Sequence, residues 1–134
     1  MRFQLIDRVL ERTPDRLVAL KCVTAAEEYL ADHFPGFPVL PGVLMLEALA
    51  QAGRLLVAGD QTGETAGTCP DPLVLAEVKN VRYSNMVRPG QSLRVEVSIR
   101  KQDAGGWELD GVGTVEDQAA VQGRFRLAPL SASA

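Results

Sequence analysis

Along residues 92–101 apolar and polar side chains alternate without a break: Leu93, Val95, Val97 and Ile99 fall on one face, and Arg94, Glu96, Ser98 and Arg100 on the other. A period of two predicts a strand with one face in a core and the other in water. Further runs predict strands over residues 3–10 and 16–24, joined by a turn at Thr13-Pro14-Asp15, where proline suits the second turn position. Strands are also expected over 73–83, 106–116 and 119–127. Gly105-Gly106 and Glu116-Asp117-Gln118 are turn-like, so the last strands are expected to form an antiparallel meander. Residues 27–29 read as a short turn and the final SASA as a disordered tail; no internal repeat is present.

One segment breaks the period-two pattern. Residues 33–41 hold three prolines and cannot be helical, because each proline pushes the residue before it towards extended geometry. From Gly42 the run VLMLEALAQAGRLLVAG has no proline and is rich in strong helix formers, with Pro41 suited to the first helical position. A helix is expected over 41–58, ending near Gly59, before a polar loop carrying Gly63, Gly67, Pro70 and Pro72. The run is apolar almost all the way round, which predicts burial on most sides. Six or so antiparallel strands and one such helix are most economically built as a curved sheet wrapped around the helix, an α+β arrangement.

Composition sets the outer bounds. At 134 residues, 46% hydrophobic and 23% charged, the chain fits one compact domain, residues 1–134, with a core of Val, Leu and Ala rather than large rings. No apolar run reaches the roughly 18 residues of a membrane span, and the charged start at Arg2, Asp7 and Arg8 is unlike an export signal. Cys22 and Cys69 are too few for a disulfide framework and read as reduced thiols, so a cytoplasmic protein is expected. A net charge of -3 argues against nucleic-acid binding. Residues 79–101, however, carry six basic side chains against Glu96 alone, a local excess of +5. That stretch is either the solvated face of two strands or a docking patch for an acidic partner.

Within the helix the polar residues Glu47, Gln51 and Arg54 are spaced four and three apart, which places them on one face. A buried carboxylate must be paired, hydrogen-bonded or protonated. One account is structural: Glu47 pairs with Arg54, or with a charge across a subunit interface. The other comes from the segment just upstream, where His33, the only histidine, heads HFPGFPVLPGVL. Its prolines and glycines form a rigid loop that fixes the imidazole and leads into the helix carrying Glu47, and rigidity around a titratable group is what acid–base catalysis needs. Imidazole takes protons near neutrality, and a carboxyl in an apolar setting can keep one to donate. Backbone N–H groups around Gly42 and Val43, at the positive end of the helix, can hold a carbonyl oxygen as it gains charge. Base, acid and oxyanion site together describe β-elimination of water next to a carbonyl.

The segment HFPGFPVLPGVLMLEALAQAG resembles the active-site signature of the FabZ-type 3-hydroxyacyl-[acyl carrier protein] dehydratases, in which a His is followed fourteen residues later by a Glu, as His33 is by Glu47. The likeness extends to Leu5-Ile6-Asp7-Arg8-Val9, to Val81-Arg82-Tyr83 and to Arg88-Pro89-Gly90, most of the chain. It implies the hot-dog fold and, without cofactor or metal, dehydration of (3R)-3-hydroxyacyl thioesters to trans-2-enoyl thioesters in fatty-acid or related polyketide and lipid biosynthesis. It implies His33 as base, Glu47 as proton donor to the departing hydroxyl, the Gly42 N–H on the thioester carbonyl, and Gln51 orienting Glu47. In that family the His and Glu of one site come from different subunits, so an obligate homodimer is implied, and trimers of dimers are common. FabA-type dehydratase-isomerases carry Asp where this chain has Glu47, which favours dehydration without isomerisation.

Three departures qualify the resemblance. Family members usually begin with a further segment containing Pro-His-Arg that helps cover the substrate tunnel; this chain opens at its first strand, which implies a more open tunnel. Asp32 replaces the usual Gly before the histidine and adds a negative charge beside His33. Ser84-Asn85 replace a basic pair, which leaves acyl-carrier-protein docking to Lys79, Arg82 and Arg88 within the basic stretch. Two rival functions share the fold: an acyl thioesterase using a carboxylate, and an idle relative that binds acyl carrier protein as a non-catalytic subunit. Neither accounts as well for the intact pair of His33 and Glu47. No nucleic-acid or membrane partner is expected.

Overall fold

The computed structural model describes residues 4–24, 39–58 and 73–130. Its elements are β1 (Arg8–Arg12), β2 (Arg16–Cys22), α1 (Gly42–Ala58), β3 (Leu73–Tyr83), β4 (Ser92–Asp103), β5 (Gly106–Val115) and β6 (Gln118–Pro129). The strands form one six-stranded sheet in the order β1-β2-β4-β5-β6-β3, every neighbouring pair antiparallel. The expected meander is present in β4, β5 and β6, and β3 pairs outside it against β6. Among the described residues no helix is long and apolar enough to cross a membrane.

The hairpin turns are tighter than expected. Val115 pairs with Gln118, so the β5–β6 loop is Glu116-Asp117 alone, both with positive φ (49° and 65°), and Gln118 already belongs to β6. Two left-handed residues in a two-residue loop match the right-handed twist of the flanking strands. Asp103 pairs with Gly106, so the β4–β5 loop is Ala104-Gly105 and Gly106 starts β5. The first strand also shifts. Leu5 and Ile6, expected within it, are buried but lie ahead of the ladder, which begins at Arg8 opposite Leu20.

Period-two burial sorts the strands into two faces. Leu17 and Ala19 of β2, Leu93, Val95 and Val97 of β4, Leu109 of β5, and Val121, Phe125 and Leu127 of β6 are buried on the inner face. Helix α1 packs across this face with Met45, Ala48, Leu49, Ala52, Gly53 and Leu56 inward. Small residues bring the helix close: a Cβ at Gly53 would stand 3.0 Å from Phe125 Cε2 and 3.2 Å from Leu127 Cδ1. Among the described residues the core is thus made mainly of Val, Leu and Ala around one large ring, Phe125.

Helix α1 is buried or half-buried around most of its circumference, and part of the side turned away from the sheet is open. Val43 is 72% exposed and Leu55 38%, while Glu47 and Arg54 each leave a third of their side chain in water. The all-round apolar pattern therefore includes an apolar face that the described residues of a single chain leave open.

Candidate active site

The start of α1 is held from beneath. Val39 and Leu40 are buried, and the Leu40 N–H donates to the carbonyl of the fully buried Val87 (2.8 Å). The Pro41 carbonyl accepts from the N–H groups of Leu44 (3.0 Å) and Met45 (3.1 Å), the first bonds of the helix. The N–H groups of Gly42 and Val43 precede those bonds and carry the positive end of the macrodipole, and no acidic side chain occupies the first turn. Tyr83, at the end of β3, lays its ring on Gly42, where a Cβ would come within 3.0 Å of Cε1. A side chain at this position would have to push the half-exposed ring back by a few tenths of an ångström.

One turn further on, three polar side chains meet. Gln51 accepts the Leu5 N–H at Oε1 (2.7 Å), which orients its amide so that Nε2 donates to Glu47 Oε1 (3.3 Å). Arg54 donates from Nη1 to the same Oε1 (3.1 Å) and from Nε to the Leu73 carbonyl (2.9 Å). Glu47 is thus set not among apolar groups but between an amide and a guanidinium, and the pairing with Arg54 raised from the spacing alone is present. Both donors converge on Oε1, and neither is spent on Oε2. Beside this group a cleft of about 360 Å³ is lined by Gln4, Ile6, Gln51, Arg54, Leu55 and Ala58. His33 and Asp32 lie outside the described residues, as do Cys69 and the short turn at 27–29.

The basic residues singled out from the sequence lie elsewhere. Lys79 pairs with Arg124 and Arg82 with Gln122 across β3–β6, positions that face away from α1. Several of these basic side chains are paired with acids on their own strand or on the neighbouring one. Lys79 Nζ lies 3.4 Å from Glu77, Arg94 3.7 Å from Glu96, Arg100 3.2 Å from Asp110 and Lys101 3.9 Å from Glu108. Arg82 lines an outer-face cleft of about 490 Å³ with Asn80, Gln122 and Arg124. Arg88 is exposed in the segment after β3, its N–H on Gln91 Oε1 (2.8 Å).

Two acids on the sheet titrate below their ordinary values. Glu96 is lowered by the hydrogen bond from Arg16 Nη2 (2.6 Å), against a smaller opposing effect of burial. Asp103 is lowered by its bond from Arg126, then by the Gly105 N–H. Both stand away from Glu47, on the strands and turns that frame the sheet.

Sequence reasoning named Glu47, Gln51 and Gly42, but treated Arg54 as only a structural partner and gave Tyr83 no part in the site. The spacing of seven residues from Glu47 to Arg54, two helical turns, was the available signal for the first. Nothing in the sequence signalled the second, because the contact depends on where β3 ends over the helix start.

Comparison with known proteins agrees with this architecture. Residues 1–124 match the family model of the FabA-like domain. The 3-hydroxyacyl-[acyl-carrier-protein] dehydratase FabZ of Caulobacter vibrioides is 38% identical over 124 residues, covering 92% of this chain and 76% of that one. The FabZ of Coxiella burnetii is 41% identical over 119 residues, 88% of this chain and 82% of that one. Among solved structures, the dehydratase heterocomplex ApeI:P of Xenorhabdus doucetiae superimposes with a TM-score of 0.76 at 19% identity over 95% of this chain and 83% of that one. Thioesterase superfamily member 2 of Mus musculus does so at 0.65 and 17% identity, over 91% and 80%. At those identities the structural likeness establishes the hot-dog fold and leaves the choice between thioesterase and dehydratase to the sequence relatives. By the family match and by identity across nine-tenths of its length, the chain belongs to the FabZ-type 3-hydroxyacyl-[acyl-carrier-protein] dehydratase family.

Proposed function

We propose that this protein is a hydro-lyase that removes water from (3R)-3-hydroxyacyl thioesters carried on acyl carrier protein, yielding trans-2-enoyl thioesters in fatty-acid or related lipid biosynthesis. The observation that carries the reading is the 38–41% identity to FabZ dehydratases across most of the chain. The geometry at the open face of α1 is compatible with it, since a carboxyl held at one oxygen by Gln51 and Arg54 keeps its other oxygen for proton exchange.

In this mechanism His33 takes the C2 proton, and the electrons of that C–H bond become the C2=C3 double bond. The C3–O bond breaks as Glu47 Oε2 gives its proton to the departing hydroxyl, which leaves as water. The N–H groups of Gly42 and Val43 hold the thioester oxygen while it carries negative charge, where preorganised donors are worth most. The proton on His33 then returns to Glu47 through exchange with solvent, and the site is reset without metal or cofactor.

The same reading makes residues 1–134 one cytoplasmic dehydratase domain that works as a homodimer, His33 of one protomer meeting Glu47 of its partner, with a trimer of dimers as the higher assembly. Lys79, Arg82 and Arg88 would receive the acidic carrier protein. Supplying a 3-hydroxyacyl thioester and its saturated counterpart tests the activity. The enoyl thioester is expected from the first and no free thiol from the second; free thiol from the saturated compound would instead identify a thioesterase, and neither product a non-catalytic relative.

A further inference from the structure

We propose that Arg54 is a positioning residue for the dehydration step, acting through Glu47; the inference rests on the assignment of Glu47 as proton donor. Three features of its placement carry it. Its guanidinium is fixed from two directions, Nε on the Leu73 carbonyl at the start of β3 (2.9 Å) and Nη1 on Glu47 (3.1 Å), so the charge is held by the sheet as well as by the helix. It shares Oε1 with Gln51, which is itself anchored on the Leu5 N–H, so donors from two side chains make Oε1 the accepting oxygen. And it lines, with Gln51, the cleft that opens beside the carboxyl.

The chemical consequence follows from which oxygen is occupied. With Oε1 accepting two N–H groups, a protonated Glu47 carries its proton on Oε2. When that proton passes to the C3 hydroxyl and the C–O bond breaks, Glu47 becomes a carboxylate, and the charge it gains appears 3.1 Å from a guanidinium already in place. A charge-assisted bond is stronger than a neutral one, so Arg54 stabilises the product of proton transfer more than the reactant. The ion pair is therefore part of the acid's machinery and not a structural alternative to it. A flexible monodentate cation would supply the charge without the second anchor.

The test compares kcat and KM of the wild type, Arg54→Met and Arg54→Lys on a 3-hydroxyacyl thioester, with Tm and assembly size measured alongside. Arg54→Met is expected to lose about ten- to hundred-fold in kcat at a KM within about two-fold of wild type, and Arg54→Lys to fall between the two. In a Glu47→Gln background Arg54→Met is expected to cause no further loss, because the two act as a unit. A wild-type kcat in Arg54→Met, or a full additional loss in the double variant, overturns the proposal. Should Arg54→Met fail to fold, Arg54→Lys decides: an intermediate kcat at unchanged Tm supports it and a wild-type kcat overturns it. A wild-type rate in Glu47→Gln alone identifies a different failure, that of the site assignment itself, and removes this proposal with it.

Discussion

At the scale of single residues, the site is a chain of hydrogen bonds whose direction is set by its far end. The Leu5 N–H is a donor and nothing else, so Gln51 must turn its carbonyl oxygen towards it and its NH2 towards Glu47. Replacing that NH2 by a second acceptor tests whether the orientation matters. Gln51→Glu keeps an oxygen for Leu5 but sets a like charge against Glu47. Dehydration is expected to fall by about ten-fold or more while Tm changes little, as read by steady-state kinetics and calorimetry. Gln51→Leu removes both partners and strands a part-buried N–H, so it is expected to cost about 1–3 kcal/mol of stability as well, seen in the urea midpoint. The face shared by Glu47, Gln51 and Arg54 was legible in the sequence from spacing alone. The identity of their partners was not, because Leu5 and Leu73 come from distant stretches that only the sheet brings to the helix.

At the scale of elements, strands with a clean alternation were readable to within a residue or two: β3 lies at 73–83 as expected, and α1 begins one residue later than expected. The misreading at β1 has a physical cause. Leu5 and Ile6 are apolar because they are buried, whereas the strand residues Val9 and Leu10 are 41% and 40% exposed, so hydrophobicity marked the wrong stretch as strand. The turns were placed but not sized, since loop length depends on register. That register yields a prediction. Glu116 and Asp117 both sit at positive φ in a two-residue loop, where Asn-Gly is the favoured pair. The double substitution Glu116→Asn, Asp117→Gly is expected to stabilise the protein by about 1 kcal/mol, measured as a raised denaturation midpoint with unchanged activity.

At the scale of the whole molecule, the sheet wraps one side of the helix and leaves the apolar Val43 and Leu55 on the other, beside the polar trio. An apolar pattern around the full circumference reads as burial on every side, but burial within one chain and burial within an assembly write the same pattern. The sheet's outer face is tied by ion pairs instead, and these set its response to acid. Glu96 and Asp103 are held below their ordinary values by Arg16 and Arg126, so each contributes stability that is complete above its unfolded value, near pH 4, and is lost as pH falls through the lower folded value. Thermal stability is expected to decline from about pH 4 downwards, and Glu96→Gln to flatten that decline. A decline confined to the neutral range would contradict this assignment.

In the proposed reaction a histidine and a glutamate move protons in one site. The most direct measurement is the turnover of a 3-hydroxyacyl thioester by His33→Ala and by Glu47→Gln, each checked for an unchanged assembly size. Both are expected to lose about 10²-fold or more in kcat; turnover near the wild-type rate in either variant would contradict the central claim.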